Sequence, residues 1–168
     1  MIRYVWIVLI FVSLCFGQQS EKMIRARQGI FIEALGNGFM YSLNYERYVG
    51  KHFDWRIGGM YFATERLHSE DGQHSGSIAL FLLPVMANYL LGNGNHKLEL
   101  GGGPLLLYLS GSVDDHRSHS GLALRATARI GYAYLPAHGG FTFRVAYTPL
   151  LTDTFSHGVG VAVGYAFH

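Results

Sequence analysis

The chain has 168 residues, which suits a single domain, and its formal net charge is only +2. Charged residues make up 14% of the chain, below the roughly 25% typical of soluble domains, and aromatic residues also make up 14%. The small net charge provides no electrostatic basis for a nucleic-acid partner, and neither a collagen-like period nor a low-complexity run is present.

The N-terminus has the pattern of a secretory signal peptide. Arg3 supplies a short positive region, Val5–Phe16 form an apolar run, and small residues precede a cleavage site after Gly17. The apolar run is too short for a membrane-spanning helix, which needs about 20 residues. We therefore expect residues 1–17 to be a cleaved signal peptide and residues 18–168 to form the mature domain. The only cysteine would leave with the signal peptide, so the mature domain would contain no disulfide.

The rest of the chain consists of short alternating segments separated by turn residues. Strands of about 9–11 residues with this alternation are the signature of transmembrane β-barrels. Eight strands are predicted, in chain order: Gln28–Leu35, Phe39–Tyr48, Asp54–Arg66, Ser77–Leu90, Lys97–Leu109, Gly121–Leu135, Phe141–Pro149 and Val159–Phe167.

The connections between these strands alternate in length. Three are tight and rich in turn-forming residues: Val49–Phe53, Gly92–His96 and Pro136–Gly140. Three are longer and polar: Leu67–Gly76, Ser110–Ser120 and Leu150–Gly158. Tight turns at the periplasmic end and longer loops outside are the pattern of outer-membrane barrels. The first outer connection, Gly36–Gly38, is unusually short.

Charged residues indicate which face of each strand points inward. In the sixth predicted strand, Leu122, Leu124 and Ile130 alternate with Arg125 and Arg129. An arginine facing lipid at mid-depth would cost about 2–4 kcal/mol, so the arginine-bearing face must point into the barrel. The predicted interior ion network contains Glu33, Glu46, Arg56, Glu99, Arg125, Arg129 and Arg144, with Lys97 near the periplasmic end. Because side chains fill the interior of a barrel of this size, we expect a plugged, salt-bridged interior without a continuous water channel.

The fourth predicted strand differs from the others because both of its faces are apolar. One face carries Ile78, Leu80, Leu82 and Met86 together with Pro84 and Asn88. This strand either contributes an apolar patch inside the barrel or packs against another chain outside it. Proline lacks the backbone N–H that a ladder needs, so β-bulges are expected at Pro84 and Pro104.

The last predicted strand has one apolar face and one face almost bare of side chains. Its apolar face carries Val159, Val161, Val163, Tyr165 and Phe167, which alternate with glycine and alanine. An unpaired apolar edge strand would promote aggregation, whereas a closed barrel in lipid has no edge. A final strand that ends in aromatic residues resembles the insertion signal of bacterial outer-membrane barrels, which here corresponds to Val163, Tyr165 and Phe167.

Several short motifs resemble those of small outer-membrane β-barrel proteins of Gram-negative bacteria, the OmpA/OmpX-like group. The motifs are EALGNG (Glu33–Gly38), YSLNYE (Tyr41–Glu46), NYLLG (Asn88–Gly92), LELG (Leu98–Gly101), GGFTFR (Gly139–Arg144) and GYAF (Gly164–Phe167). The resemblance implies an all-β, eight-stranded antiparallel up-and-down transmembrane barrel. It also implies insertion by the barrel-assembly machinery and escort by periplasmic chaperones, and it carries no catalytic motif.

The leading hypothesis is a monomeric structural or interaction protein of the envelope, embedded in outer-membrane lipid and acting through short extracellular loops. No cofactor is predicted, because the glycines at Gly36–Gly38 and Gly101–Gly103 do not open a helix after a strand, as phosphate loops do. A narrow transport or ligand-binding barrel is an alternative. A soluble lipocalin-like barrel is another, with the apolar face turned inward and Arg125, Arg129 and Arg144 outside.

Histidine is unusually frequent outside the predicted strands. All nine histidines fall in predicted turns, in loops or at the C-terminus. Imidazole and carboxylate groups at one mouth suit zinc or copper, and the candidate ligands are His68, His74, His116, His119 and His157. Solvated loops also accommodate histidine without any ligand, and no paired spacing lies on one element, so no metal is assigned.

A lipid-modifying enzyme of the outer leaflet, such as a lipid A hydrolase or acyltransferase, is the alternative from a different class. A nucleophile and its base could come from His116, Ser118, His119 and Ser120 with Asp114 or Asp115. Adjacent serine and histidine are common in loops, however, and catalytic sets are usually held on rigid elements. The chain is therefore predicted not to be an enzyme.

Overall fold

The computed structural model describes residues 26–68, 75–113, 117–151 and 156–168. The strands within these ranges are β1 Gln28–Ala34, β2 Tyr41–Val49, β3 Phe53–His68, β4 Ser75–Leu91, β5 His96–Val113, β6 Arg117–Tyr134, β7 Gly140–Tyr147, β8 Leu150–Leu151 and β9 Val159–Phe167. No helix in this described part of the chain is long and apolar enough to cross a membrane. The predicted signal peptide, residues 1–17, lies outside the described residues.

The strands form one antiparallel sheet that closes on itself. β1 pairs with β2 on one side and with β9 on the other, and β5 pairs with β6, which completes the ring. β7 and β8 both pair with β6 and are separated by Thr148 and Pro149, because Pro149 has no N–H for the ladder. Since β7 and β8 occupy one place in the ring, the prediction of an eight-stranded up-and-down barrel is confirmed.

Apolar side chains cover the outside of the barrel, and charged side chains lie inside it. In β9, Val161, Val163 and Tyr165 are 43%, 45% and 61% exposed. Arg129 and Arg144 are fully buried. This is the register that the cost of an arginine in lipid predicts. The lipocalin-like alternative, which needs these arginines outside, is therefore wrong.

The four central strands are longer than predicted. β3, β4, β5 and β6 contain 16, 17, 18 and 18 residues. Within the described residues, the predicted loop Leu67–Gly76 contributes residues 67–68 and 75–76 to strands, and the predicted loop Ser110–Ser120 contributes residues 110–113 and 117–120. Glycine has a low strand propensity and serine is common in turns, but β4 and β5 continue to pair as far as Gly76 and Val113. Pairing with a neighbouring strand overrides these local preferences.

The central strands continue past their outer neighbours. β2 pairs with β3 only as far as Leu43 and Gly59, and β8 pairs with β6 only at Ala126 and Thr127. Beyond these points a four-stranded antiparallel sheet extends past the barrel rim, formed by residues 60–68, 75–82, 107–113 and 117–125. We call it the protruding sheet.

The two prolines in the central strands do not produce bulges. The β4–β5 ladder is interrupted after Pro84 and resumes at Ala87 with no change in register. A register shift lies instead between Glu65 and Leu67 of β3. The predicted bulges at Pro84 and Pro104 are therefore wrong, because a proline removes a hydrogen-bond donor without inserting an extra residue.

Gly131 allows β6 to lie close to β7. A methyl group at Gly131 would overlap the Cβ atom of Ala146 and the carbonyl oxygen of Val145. We expect Gly131→Ala to lower the free energy of unfolding by about 1–3 kcal/mol, because the backbone would have to move. Gly121→Ala on the same strand is the control, since nothing lies within 4 Å of its added methyl group. Urea unfolding in lipid vesicles measures both variants, and equal stabilities would contradict the prediction.

Candidate functional site

Six charged side chains from six strands meet in the barrel interior. They are Glu33 of β1, Glu46 of β2, Arg56 of β3, Glu99 of β5, Arg129 of β6 and Arg144 of β7, and each is at most 1% exposed. All six lie on the inner face of their strands, because successive side chains of a strand point to opposite faces. We call these six residues the ion network.

Glu99 is the centre of the ion network. Its carboxylate lies 3.1 Å from Nε of Arg129, 3.8 Å from Nη1 of Arg56 and 3.9 Å from Nε of Arg144. One carboxylate therefore faces guanidinium groups from three strands. Because the whole group is shielded from solvent, each attraction is stronger than it would be at the protein surface.

Two further ion pairs join strands that are three places apart in the ring. Arg129 of β6 pairs with Glu33 of β1, and Nη2 of Arg144 on β7 lies 2.5 Å from Oε2 of Glu46 on β2. Tyr48 donates its hydroxyl hydrogen to Glu46 and accepts a hydrogen bond of 3.1 Å from Arg144. These pairs cross the interior instead of following the wall.

The aromatic ring of Phe31 fills space beside the ion network. The guanidinium carbons of Arg144 and Arg56 lie 4.6 Å and 5.5 Å from its centroid, within the range of cation–π attraction. Phe31 was not among the predicted interior residues, although it lies two residues before Glu33 and therefore on the same face of β1. The three arginines match the three glutamates, so the ion network buries no net charge.

The other two predicted interior residues lie apart from the ion network. Arg125 is on the inner face of β6 but only partly buried, and its Nη1 donates to the carbonyl oxygen of Leu124 at 3.2 Å. Lys97 is 4% exposed and donates to the carbonyl oxygen of Gly92 at 2.5 Å, in the turn before β5. Arg125 is more exposed because it stands where β6 leaves the barrel for the protruding sheet.

Apolar residues fill the end of the barrel that carries the tight turns. A buried cluster is formed there by Ala26, Tyr48, Leu90, Ala133, Leu135 and Ala166. Between this cluster and the ion network, Nδ2 of Asn88 donates to Oδ1 of Asp54 at 2.5 Å. Asp54 was not among the predicted interior residues, although it alternates with Arg56 on the same face of β3.

The turn between β1 and β2 folds into the opposite, outer end of the barrel. Asn37 is 7% exposed. Its Nδ2 donates to Oγ1 of Thr127 at 2.6 Å and to the carbonyl oxygen of Ala128 at 3.2 Å. Its Oδ1 accepts a hydrogen bond from Arg56 at 3.5 Å. Leu35 and Phe39 flank the turn with φ angles of 60° and 70°, a strained left-handed conformation for such side chains. This strained turn bridges to the far wall directly above the ion network.

A cavity of about 200 Å³ opens at the outer mouth, above Asn37. Its apolar walls are Leu35, Phe39, Leu82, Leu105, Leu107 and Leu150, and its polar groups come from Asn37, Thr127, Thr148, Ser156 and His157. Leu82 and Leu105 pack with Met60 in a buried cluster, which Leu80, Leu107 and Leu150 extend. Leu82 and Met86, on the apolar face of the fourth predicted strand, therefore lie inside the barrel, which is one of the two places predicted for this face.

No protein-family model matches the chain, and a search of curated protein sequences finds no match. The N-terminal β-barrel domain of OprF from Pseudomonas aeruginosa is similar in structure, with a TM-score of 0.55 and 11% identity over 89% of this chain and 100% of that domain. Ail, the attachment invasion locus protein of Yersinia pestis, in complex with the heparin analogue sucrose octasulfate, has a TM-score of 0.55 and 15% identity. That match covers 88% of this chain and 100% of Ail. A further structure of Ail has a TM-score of 0.50 and 14% identity, and the match covers 88% of this chain and 99% of that one.

The chain has the fold of the small outer-membrane barrels. The predicted resemblance to OmpA/OmpX-like proteins is thereby confirmed. At 11–15% identity the likeness concerns the fold alone. The roles of individual residues in this outer-membrane-type barrel must therefore be inferred from their own geometry.

The candidate metal ligands of this outer-membrane-type barrel are not brought together in its described part. His119 of β6 and His157 before β9 are both exposed, and His157 shares a hydrogen bond with the hydroxyl of Tyr147. His74 and His116 lie outside the described residues. Among the residues that are described, no group of three or more His, Cys, Asp or Glu side chains is placed to hold a metal ion.

Several histidines lie in strands and not in loops. His68 ends β3, His96 begins β5 and His119 belongs to β6. The prediction that every histidine lies in a turn, in a loop or at the C-terminus is therefore wrong for these three. It failed because these strands are longer than their local sequence indicates.

Strand geometry separates two members of the proposed serine–histidine set, His119 and Ser120. His119 and Ser120 are neighbours in β6, and adjacent residues of a strand point to opposite faces of the sheet. They therefore cannot form a nucleophile and base with each other, which requires hydrogen-bond contact. Ser118 lies in the same strand, whereas His116, Asp114 and Asp115 lie outside the described residues.

The residues predicted as an insertion signal lie along β9. Val163 and Tyr165 face outward, and Phe167 is partly buried at the end of the strand, where its carbonyl oxygen accepts a hydrogen bond of 3.0 Å from Arg27. Their alternation places them on the apolar outer face of the barrel. Recognition of these residues by an assembly machinery stays a prediction.

Proposed function

We propose that the chain is an integral outer-membrane protein with a plugged interior, acting as a structural or interaction protein of the envelope. The observation that carries the proposal is the ion network, whose Arg129–Glu33 and Arg144–Glu46 pairs cross the interior beneath Asn37. A barrel of eight strands has just enough interior volume for its own side chains. An interior occupied in this way supports anchoring and surface interaction better than solute transport.

The outward side chains support a position in a lipid bilayer. Four apolar residues lie side by side on the outer face of β3–β6: Tyr61, Phe81, Tyr108 and Leu122. Beyond this row, towards the strand tips, the outer face carries Ser77, Ser110, Ser112 and Ser120. Aromatic belts mark the interface between lipid and water, so we place the membrane surface at this row. The protruding sheet then extends from the interface into water.

We propose the protruding sheet, more than the short loops, as the surface for interaction. Residues 60–68 of β3 extend beyond their pairing with β2, and residues 117–125 of β6 extend beyond their pairing with β8. An exposed strand edge binds extended segments through main-chain hydrogen bonds. We propose that outer-membrane lipid surrounds the barrel and that the barrel-assembly machinery and periplasmic chaperones are its partners in biogenesis. We also propose that the protein is a monomer, because the ring closes without a second chain.

Localisation and closure are tested together. Cell fractionation should place the protein in the outer-membrane fraction, and its gel mobility in detergent should change on boiling, because a closed barrel resists the detergent until heated. A protein found in the soluble periplasmic fraction with no such shift would overturn the proposal.

The wild-type barrel should give no steady conductance in planar lipid bilayers. The double variant E33S/R129S removes the crossing Glu33–Arg129 ion pair, and with it the contact of Arg129 with Glu99, while it keeps the interior charge balanced, and we expect it to conduct. Leu124→Ser is the control. Leu124 lies on the outer face of β6 and is 66% exposed, so this variant should give no conductance. A heat-shift gel verifies that each variant is folded. If the wild type conducts as well as the double variant, the plugged interior is ruled out.

A further inference from the structure

The cavity at the outer mouth contains a buried polar group without a partner. Thr148 lines the cavity and is 4% exposed, and its Oγ1 has no hydrogen-bond partner among the described residues. In contrast, the hydroxyl group of Thr127, which also lines the cavity, has two partners. It donates to the carbonyl oxygen of Pro149 at 3.1 Å and accepts a hydrogen bond from Nδ2 of Asn37. A buried hydroxyl that makes no hydrogen bond is costly. Thr148 therefore offers one specific hydrogen bond to a molecule in the cavity.

We propose that this cavity binds a single unbranched aliphatic chain that bears an uncharged oxygen group, such as a hydroxyl or an ester, at its buried end. The oxygen group hydrogen-bonds to Thr148, and the chain runs outward along the leucines. This binding site goes beyond an anchoring or interaction role, and it does not depend on whether the barrel conducts ions.

The volume and lining of the cavity favour an aliphatic chain. Small-molecule sites usually measure about 300–1,000 Å³, so a cavity of about 200 Å³ suits one narrow chain. Leu82, Leu105, Leu107 and Leu150 form one packed apolar wall of it, and Leu35 of the turn after β1 also lines it. Each methylene group moved from water to such walls contributes favourably.

The surrounding charges select an uncharged oxygen group. No Asp, Glu, Lys or Arg is among the described residues that line the cavity. The ion network beneath it holds three glutamates against three arginines. A buried carboxylate or ammonium group would therefore lack a compensating charge and would be strongly disfavoured.

The inner face of the protruding sheet continues the apolar wall beyond the cavity. Pairing places Leu80 beside Phe62 and Leu109, on the same face as Leu82 and Leu107. Phe62 and Leu109 are 37% and 51% exposed. The outer face of the same strands carries serines, so this sheet has its apolar side towards the mouth. A chain longer than the cavity would cover these side chains.

The proposed chain has two possible sources, a free amphiphile from the water side or a lipid of the bilayer. The test uses the full barrel in nanodiscs of chain-deuterated phosphatidylcholine, with protonated octan-1-ol in one arm and protonated monoolein in the other. NMR contacts are measured from the ligand methylene groups to the methyl groups of Leu105, Leu107 and Thr148, with outward Val163 as a reference for the bilayer.

Contacts to the three mouth residues from either probe support the site, and the effective probe identifies the source. Absence of such contacts from both probes would overturn the proposal. Leu107→Trp fills the cavity and should weaken the contacts at least tenfold. Leu106→Trp, on the opposite face of the same strand, is the matched control and should leave them unchanged. Equal binding by these two variants would also overturn it.

A second comparison isolates the hydrogen bond. Thr148→Val keeps the shape of the side chain but removes its hydroxyl group. It should weaken octan-1-ol binding about three- to tenfold, the usual effect of one hydrogen bond, and leave octane binding unchanged. An equal loss for both probes would show that Thr148 acts through packing, which contradicts the assignment of the oxygen group.

Discussion

Replacing Glu99 with glutamine should lower the free energy of unfolding by about 3–5 kcal/mol. Its carboxylate faces three guanidinium groups at 3.1–3.9 Å, all buried from solvent. Neutralising it leaves three arginines facing two glutamates in a region that water does not reach. The cost arises from this uncompensated buried charge more than from the loss of any one contact.

Urea unfolding in phospholipid vesicles measures this effect, with a heat-shift gel as an independent check of closure. Arg125→Gln is the matched control, because Arg125 shares the inner face but is only partly buried, and it should change stability by less than about 0.5 kcal/mol. The double variant Glu99→Gln/Arg56→Gln restores charge balance, so its loss should be smaller than the sum of the single losses. The coupled network would be refuted if the stability losses of the two single variants simply added up in the double variant. It would also be refuted if the substitutions at Glu99 and Arg125 lowered stability equally.

Replacing Val163 with arginine should cost about 2–4 kcal/mol, the expected penalty for a charge on the lipid face near mid-depth. Val163 is 45% exposed and lies in the middle of β9, paired with Ile32 of β1 and Phe143 of β7. An arginine there must lose its hydration or distort the bilayer. The same substitution also affects the strand predicted to carry the insertion signal, so assembly yield is recorded separately from stability.

Val159→Arg provides the depth control for that prediction. Val159 is 56% exposed on the same face of β9 but lies at its outer end, where the penalty falls to about 0–1 kcal/mol. Both variants are refolded into vesicles of one lipid and unfolded with urea. A penalty that is equal at the two positions would argue against lipid on this face.

The alternation of polar and apolar residues was enough to predict the barrel and its register. Glycine and alanine alternate with Val161, Val163 and Tyr165, and apolar residues alternate with Arg125 and Arg129 on β6. Alternation with period two is a local property of the chain, and the cost of an arginine in lipid decides which face turns inward. The same reasoning placed all six members of the ion network on the inner face.

The ends of the long strands could not be predicted in this way. Residues 110–113 and 117–120 are rich in serine and glycine, which indicates a loop when only local propensity is considered. They form strands because β5 pairs with β4 as far as Val113 and with β6 as far as Arg117. The positions of His119 and Ser120 on opposite faces follow from that pairing.

The arrangement of residues at the outer mouth could likewise not be predicted from the sequence. Asn37 lies in a short turn with no periodic neighbours, so nothing local indicates that it reaches Thr127 on the far wall. Thr148 follows a regular strand and precedes a proline, which identifies a strand end but not a cavity. Both became recognisable only when the ring brought distant strands around one space.

By itself, the sequence determined that this chain alternates as a barrel, which face of each strand carries charge, and that the charged face must be hidden from lipid. These conclusions depend on residue spacing and on the cost of desolvating a charge, and both act on each strand separately. Only the tertiary structure decided which charges meet. Glu33 and Arg129 are 96 residues apart, and ring closure alone places them in contact. The ring likewise formed the cavity, because it brings the turn between β1 and β2 against side chains of β4, β5, β6 and β8.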